Sequence, residues 1–522
     1  MPTAFKVVPK EYRDSVSLMQ LSALLAKLPG VEQASAVMAT ENNLALLTEA
    51  GFGVRATGAS PTDLLIVVRG EQSALAGAID EALKNLTRQA DGGVQESAVP
   101  KPRSIQMALA QAGAANMALI STPGEYAAAE ALKALNLGLN VMLFSDNVSE
   151  EEELRLKRVA TQRNLIVMGP DCGTAIINGV PLAFANVVKR GPIGAVGASG
   201  TGLQQVTVLV DRLGLGVSQA IGTGGRDLHA KIGGISMSKG LRDLATDPAT
   251  RVIVLISKPP AAEVSERILS EARKAGKPVV VNFLGADPRK ISGGSVHGAR
   301  TLEDAARAAV DIARGEMPRQ SYGDVPPQLV GLPPLGHGQR YIRGLYSGGT
   351  FCYEAALLLD ERLADVYSNT PVQPQGELED LWSSHHHTLI DLGDDIFTRG
   401  RPHPMIDFRL RNERIAKEAE DPETAVILLD VVLGYGSNAD PAGELVPALR
   451  RAREIATRYG RNLAFVGHVC GTEGDPQGLD LQTNALTQAG MVLMQSNAQA
   501  VRLAASMVAG RAPGRGLGGG VP

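Results

Sequence analysis

Residues 193–202 read IGAVGASGTG, and residues 344–350 read GLYSGGT. Each is a short apolar strand running into a Ser/Gly/Thr turn. Each turn opens a helical pattern, LQQVTVLVDRLG in the first case and FCYEAALLLDERL in the second. Each copy has a second glycine/acid turn further on, IGTGGRDL at 221–228 and IDLGDDIF at 390–397. Each closes on an Asp-Pro turn and a buried strand, DPATRVIVLIS from Asp247 and DPETAVILLDV from Asp421. Self-similarity of this kind marks a duplicated α/β domain. A glycine-rich turn at a helix start presents unpaired N–H groups at the positive end of the helix dipole, which suits a phosphate or carboxylate. Two such turns facing one another would hold a highly charged group. The candidate anion ligands are therefore Ser199, Gly200, Thr201 and Gly202 in one copy and Ser347, Gly348, Gly349 and Thr350 in the other, with Gly200 and Gly349 expected to approach.

A chain of 522 residues is too long for one core and predicts three or four domains. A formal net charge of −4 argues against a nucleic-acid or anionic-membrane surface. No apolar run reaches the ~18–20 residues of a membrane span, and MPTAFKVVPKEYRD lacks a signal-peptide core, so the expected location is the cytoplasm. Cys172, Cys352 and Cys470 lie far apart with no CxxC, which argues against a disulfide framework.

Around the two copies the βα rhythm continues. Residues 1–97 alternate strands and helices in an order that suits a small ferredoxin-like or ACT-like α+β domain. Residues 98–190 carry the strands NMALISTPG, NVMLFSDN and LIVMGPD, and predict a Rossmann-type domain with Ser121, Asp146 and Asp171 at its ligand edge. The duplicated domains occupy 191–316 and 340–509, each expected to be flavodoxin-like. The Pro/Gly-rich 317–339 reads as a linker and the low-complexity 510–522 as a disordered tail. The fold class is multi-domain α/β with parallel sheets.

Several motifs separate one chemistry from another. VGASGTG could be taken for a dinucleotide-binding turn, but no Tyr-x-x-x-Lys follows and no acid closes the strand GVSQAIG. There is neither GxxxxGK[ST] nor HExxH. His385, His386 and His387 are consecutive, so in a strand they alternate faces and cannot converge on one ion; no metal is expected. DLGDDIFTRGRPHPMID at 391–407 is the densest polar cluster: Asp391, Asp394 and Asp395 with Arg399, Arg401 and His403. Arginine forks bind carboxylate or phosphate, and a histidine can move a proton near neutral pH. A self-neutralising salt-bridged loop is the plainer alternative. Gly224, Gly225, Arg226 and Asp227 form the matching loop of the first copy. Lys258 and Asp430 stand at matching strand ends, where a charge is either a ligand contact or a cap.

GPDCGT, GPIGAVGASGTG, IGTGGRDL and DPATRVIVLI together resemble the α-subunit of succinyl-CoA synthetase and other NDP-forming acyl-CoA synthetases. GLYSGGT, IDLGDD and DPETAVILLD resemble the CoA-ligase domain of the β-subunit. EYRDSVSLM, NVMLFSDNVS, MGPDCGT, PLAFANV, GGRDL, SKPP and IDLGDD…GRPHPMID read as signatures of one branch, the FdrA family. The resemblance implies a CoA-binding-like domain at 98–190 and two ligase domains whose helix starts, at Ser199–Thr201 and Ser347–Thr350, point at a phosphorylated centre. It also implies a subunit of oxamate carbamoyltransferase, which converts oxalurate and phosphate into oxamate and carbamoyl phosphate, working with partner chains in a hetero-oligomer; a homodimer stays open. Phosphate is then a substrate, and Lys258, Arg401 and His403 are the catalytic candidates. The alternatives are an acyl-CoA synthetase subunit and a non-catalytic anion-binding scaffold. Departures from the synthetase pattern are specific. The nearest counterpart of its phosphohistidine is His297 in GGSVHGARTLEDA, with different flanks. Lys258 stands where the synthetase has a glutamate, no ATP-grasp domain is present, and KPRSIQMALAQAGAANMA at 101–118 lacks the glycine-rich CoA turn. No cofactor is assigned on this reading, and CoA is left open.

Overall fold

The structure is a computed structural model that describes residues 1–53, 58–91, 102–319, 334–398 and 401–509. Most of the linker expected at 317–339, the expected tail at 510–522, and Arg399 lie outside the described residues. The chain divides into two compact units: Met1–Asp171 together with Asp394–Asp407, and the remainder.

In the first unit β1 (Thr3–Val8), α1 (Ser15–Leu25), β2 (Val31–Met38), α2 (Glu41–Glu49), β3 (Leu64–Gly70) and α3 (Gln72–Asp91) build an antiparallel sheet in the order β1-β3-β2. The alternation of β3 explains its run LLIVV. Leu64, Ile66 and Val68 join the core with Leu18, Leu21 and Leu25 of α1, whereas Leu65 and Val67 face Leu47 and Phe52 on the other side. Next come α4 (Ile105–Ala112), β4 (Met117–Ile120), α5 (Gly124–Asn136), β5 (Asn140–Leu143), α6 (Glu150–Gln162) and β6 (Val167–Met168), with a parallel sheet in the order β4-β5-β6. Ser149 and Glu152 form a capping box that fixes where α6 begins.

The second unit holds the two copies. The first comprises β7 (Thr174–Ile177), β8 (Val180–Ala183), β9 (Arg190–Gly197), α7 (Gly200–Arg212), β10 (Val217–Gly222), α8 (Ile235–Thr246), β11 (Val252–Ser257), α9 (Ala262–Arg273), β12 (Val279–Phe283), α10 (Pro288–Ile291), β13 (Val296–Gly298) and α11 (Leu302–Arg314). The second comprises β14 (Tyr341–Tyr346), α12 (Gly349–Asp360), β15 (Val366–Ser368), β16 (His387–Asp391), α13 (Asp395–Thr398), α14 (Arg409–Glu420), β17 (Thr424–Val432), α15 (Pro441–Arg458), β18 (Ala464–Cys470), α16 (Leu479–Gln488), β19 (Met491–Met494) and α17 (Asn497–Val508). Of these, α13 belongs to the segment that clusters with the first unit. The sheets run β13-β12-β11-β9-β10-β7-β8 and β15-β16-β14-β17-β18-β19. Stripped of their edge additions, both share one doubly wound parallel order. The order reverses beside the first strand, between β9 and β11 in one copy and between β14 and β17 in the other, which is where such sheets bind ligands.

Two boundaries differ from the sequence reading. The first copy begins at Cys172 rather than 191, because the hairpin β7–β8 pairs antiparallel with β10. The segment 394–407 is continuous with the second copy in sequence but clusters with the first unit. No helix among the described residues is long and apolar enough to cross a membrane.

Candidate functional site

The twin turns do meet. Ser199 Oγ and Thr350 Oγ1 are 2.6 Å apart, and a Cβ placed on Gly348 would lie 2.9 Å from Thr201 Cγ2. In the first turn Ser199 caps α7 by accepting from the Gly202 N–H at 2.9 Å. In the second, Gly348 occupies the cap position of α12 and offers no side chain. The N–H groups of Gly200, Thr201, Gly349 and Thr350 then have no acceptor among the described residues. These are the orphan donors that an oxyanion satisfies.

Gly349 is where the charges gather. A Cβ there would stand 2.3 Å from Asp391 Oδ2 and 3.5 Å from Lys258 Nζ, so only glycine leaves room between the helix start and these two side chains. Lys258 follows β11 of one copy and Asp391 ends β16 of the other. The half-buried Lys258 makes no hydrogen bond or ion pair among the described residues; its nearest ring is Tyr353, 6.0 Å away. Asp391 is held by Asn369, which bonds both its backbone N–H and its carbonyl, and its Oδ1 accepts from the Gly393 N–H at 2.9 Å.

Other candidates turn out to be framework. Asp430 accepts from the Ser347 N–H at 2.8 Å, the Ser347 hydroxyl at 2.8 Å and the Gly348 N–H at 2.9 Å, so those donors of the second turn already hold an internal carboxylate. Ser347 and Gly348 shape the turn rather than bind an outside anion. Asp227 is fully buried and accepts from the Ser236 and Met237 N–H groups, capping α8. Its neighbours differ: Gly224 has φ +84°, Gly225 has open space where a Cβ would be, and Arg226 is half-buried. Asp394 Oδ1 accepts from the Ile396 N–H and caps α13, whose first residue is Asp395. Arg401 is exposed, and His403 Nδ1 accepts from the Met405 N–H at 3.2 Å, closing its own turn. Both belong to the first unit, whereas Lys258, Asp391 and the twin turns belong to the second.

His297 sits on β13, at the edge of its sheet and three strands from β9. At ~4.8 Å per strand that is roughly 14 Å. The three consecutive histidines do separate: burial pushes His387 down to about 4 and its Nδ1 accepts from the Ile342 N–H, while His386 bonds the Tyr341 hydroxyl. No group of three or more metal-ligating side chains occurs among the described residues. Sequence reasoning missed Arg411 on α14, fully buried, whose Nη1 reaches the Asp430 carboxylate at 3.2 Å and its carbonyl at 2.8 Å.

Comparison with known proteins puts the CoA-binding domain on the first copy, not on the 98–190 stretch where the resemblance placed it. The CoA-ligase family matches residues 345–507, the CoA-binding domain matches 188–285, and the AllF heavy-metal-associated domain matches 1–102. The last of these stretches contains neither cysteine nor histidine, so it offers no thiolate or imidazole ligand for a heavy metal. The uncharacterized protein YahF of Escherichia coli (strain K12) is 43% identical over 97% of this chain and 99% of its own. The α-subunit of the ADP-forming succinate–CoA ligase of Aquifex aeolicus is 28% identical over 39% of this chain and 67% of its own. The SauD subunit of the ADP-forming sulfoacetate–CoA ligase of Bilophila wadsworthia is 26% identical over 33% and 59%. With a relative of that identity along almost its whole length, and with CoA-binding and CoA-ligase domains carrying the twin turns, the chain belongs to the FdrA family of succinyl-CoA-ligase-like proteins.

Proposed function

We propose that the chain is a subunit of an acyl-CoA-ligase-type enzyme that makes or consumes an acyl phosphate, with the phosphoryl group held between the starts of α7 and α12. The observation that carries this reading is the 2.6 Å contact between Ser199 and Thr350, which brings four unpaired N–H groups together beside Lys258. A carboxylate substrate is supported by the relatives, whose names place them on succinate and sulfoacetate. CoA is a candidate acyl acceptor. Its pyrophosphate suits the strand end at Gly224 and Gly225, where the backbone is open to close approach, inside the stretch that matches the CoA-binding domain.

A second reading is carbamoyl transfer from oxalurate to phosphate. It is favoured by one observation: His297 lies on the sheet edge, and a lysine stands at the turns instead. In this reaction a phosphate oxygen attacks the carbamoyl carbon, the bond from that carbon to the oxamate nitrogen breaks, and the nitrogen takes a proton. No histidine carrier is needed, and Lys258 stabilises the charge on the carbonyl oxygen. The assembled complex decides between the two. Turnover of oxalurate with phosphate, without ATP or CoA, supports the carbamoyl reading. Acid-labile 32P on His297 from ATP with a nucleotide-binding partner, and CoA-dependent turnover of a small carboxylate, support the ligase reading.

Either way the anion should stabilise the fold. A ligand at 100 times its Kd adds about 2.7 kcal/mol. Millimolar phosphate or sulfate is expected to raise the melting temperature, and Gly349→Asp to remove the rise, because its carboxylate would crowd Asp391 at the helix start. Chloride at equal ionic strength controls for screening. An equal rise with chloride, or an unchanged response in the variant, refutes the site.

A further inference from the structure

A cleft of about 940 Å³ is lined by α12, by α17 and by the segment from Leu284 to Thr301. Leu284, Pro288, Leu357 and Leu358 give it an apolar wall, and arginines give it charge. Two of those arginines are matched at once: Arg289 pairs with Asp287 at 3.0 Å, and Arg300 pairs with Glu361. Two are not. Arg362, exposed at the mouth, has no side-chain partner among the described residues. Arg502 is only 8% exposed, lines the cleft, and makes no hydrogen bond or ion pair there; its Nη1 is fully enclosed without an acceptor.

A guanidinium nitrogen enclosed without an acceptor is costly, and a packed apolar side chain would serve the fold better. Glu354 feels the Arg502 charge but makes no ion pair with it. Glu354, 1% exposed, uses its two oxygens on the Leu302 N–H at 2.8 Å and the Asn497 amide at 2.9 Å. Burial raises its carboxyl to about 7, so it is only partly charged at neutral pH. The acids of the cleft are engaged elsewhere, which leaves Arg502 and Arg362 without an anionic partner among the described residues.

We infer that this cleft is a second ligand site, taking a small carboxylate or phosphate monoester whose anionic head meets Arg502 and Arg362 and whose short apolar body lies on Leu284 and Leu357. The site is separate from the twin turns but shares α12 with them. Leu357 lies eight residues beyond Gly349, or ~12 Å along the helix.

The test is calorimetric titration of the full chain with butyl phosphate, butanoate and butanol. At least one of the two anions should bind and butanol should not; which anion binds tells a phosphate site from a carboxylate site. Arg502→Met should weaken binding roughly tenfold or more, the loss of a charge-assisted fork, while melting no lower than the parent. Gly349→Asp, which blocks the twin turns, should leave the affinity within about twofold, as expected for independent sites. Should Arg502→Met not fold, Arg502 is structural and the inference fails. Exposed Arg362→Gln gives a further check, with weaker anion binding expected at unchanged melting temperature. Binding of neither anion, equal binding of butanol, an unaltered affinity in Arg502→Met, or a loss in Gly349→Asp would each overturn the site.

Discussion

Asp430→Ala should destabilise the second unit by about 3–5 kcal/mol, the range found when one member of a buried ion pair is removed. Asp430 and Arg411 are both fully buried, and Arg411 Nε and Nη2 have no other acceptor. Its guanidinium also lies 4.2 Å over the Phe408 ring, which locks it in place. Alanine would strand this charge and free the Ser347 and Gly348 N–H groups that now close the turn. Urea denaturation followed by circular dichroism would show the loss as a lower midpoint. Asp430→Asn combined with Arg411→Met should recover part of it, since neither buried charge then remains. The geometry adds a sharper consequence. The turn is built around a carboxylate, so sulfate should restore more stability to Asp430→Ala than it adds to the parent. An unfolding free energy within about 1 kcal/mol of the parent, the upper end for a surface pair, would mean that the pair does not organise the turn.

The duplication was legible because turn chemistry is local. Ser/Gly/Thr after an apolar run and an Asp-Pro before the next each act within a few residues, and both copies kept them. The meeting of the turns was legible too, since a repeat with an anion seat in each copy has one economical arrangement. What differs turns on what each local signal is paired with in the fold. IINGVPL at 176–182 carries an Asn-Gly pair whose φ values, 52° and 81°, suit the tight hairpin of β7 and β8. The stretch falls within the 98–190 domain of the sequence reading, whereas β7 and β8 join the sheet of the first copy. Arg411, Arg414, Ile415 and Glu418 fall at helical spacing on one face of α14, and all four are buried. A charged face reads as solvated until its partners are known, among them Asp430 and Arg343. Asp227 and Asp394 looked like site residues because glycine/acid turns serve ligands and helix caps alike.

Lys258→Met should lower kcat of the assembled enzyme by about 10²–10³-fold, the effect of removing one group that stabilises developing charge. The expectation rests on what Lys258 is not doing. It makes no hydrogen bond or ion pair among the described residues and is half-buried, so the fold has no evident need of it and the melting temperature should barely move. Its Nζ stands 3.5 Å from where a Cβ on Gly349 would be, beside the unpaired N–H groups of α12. A cation there adds to the positive end of the helix, with Asp391 also beside Gly349. Such a pairing of dipole and charge favours a group that gains negative charge during reaction over one that merely binds. Lys258→Arg keeps the charge but not the point geometry, so it should restore part of the rate. The split between constants identifies the role. A fall in kcat at unchanged KM for phosphate places Lys258 on the transition state, whereas a raised KM alone makes it a phosphate anchor. Full activity of Lys258→Met would remove the lysine from the chemistry and leave the two helix starts as the whole of the site.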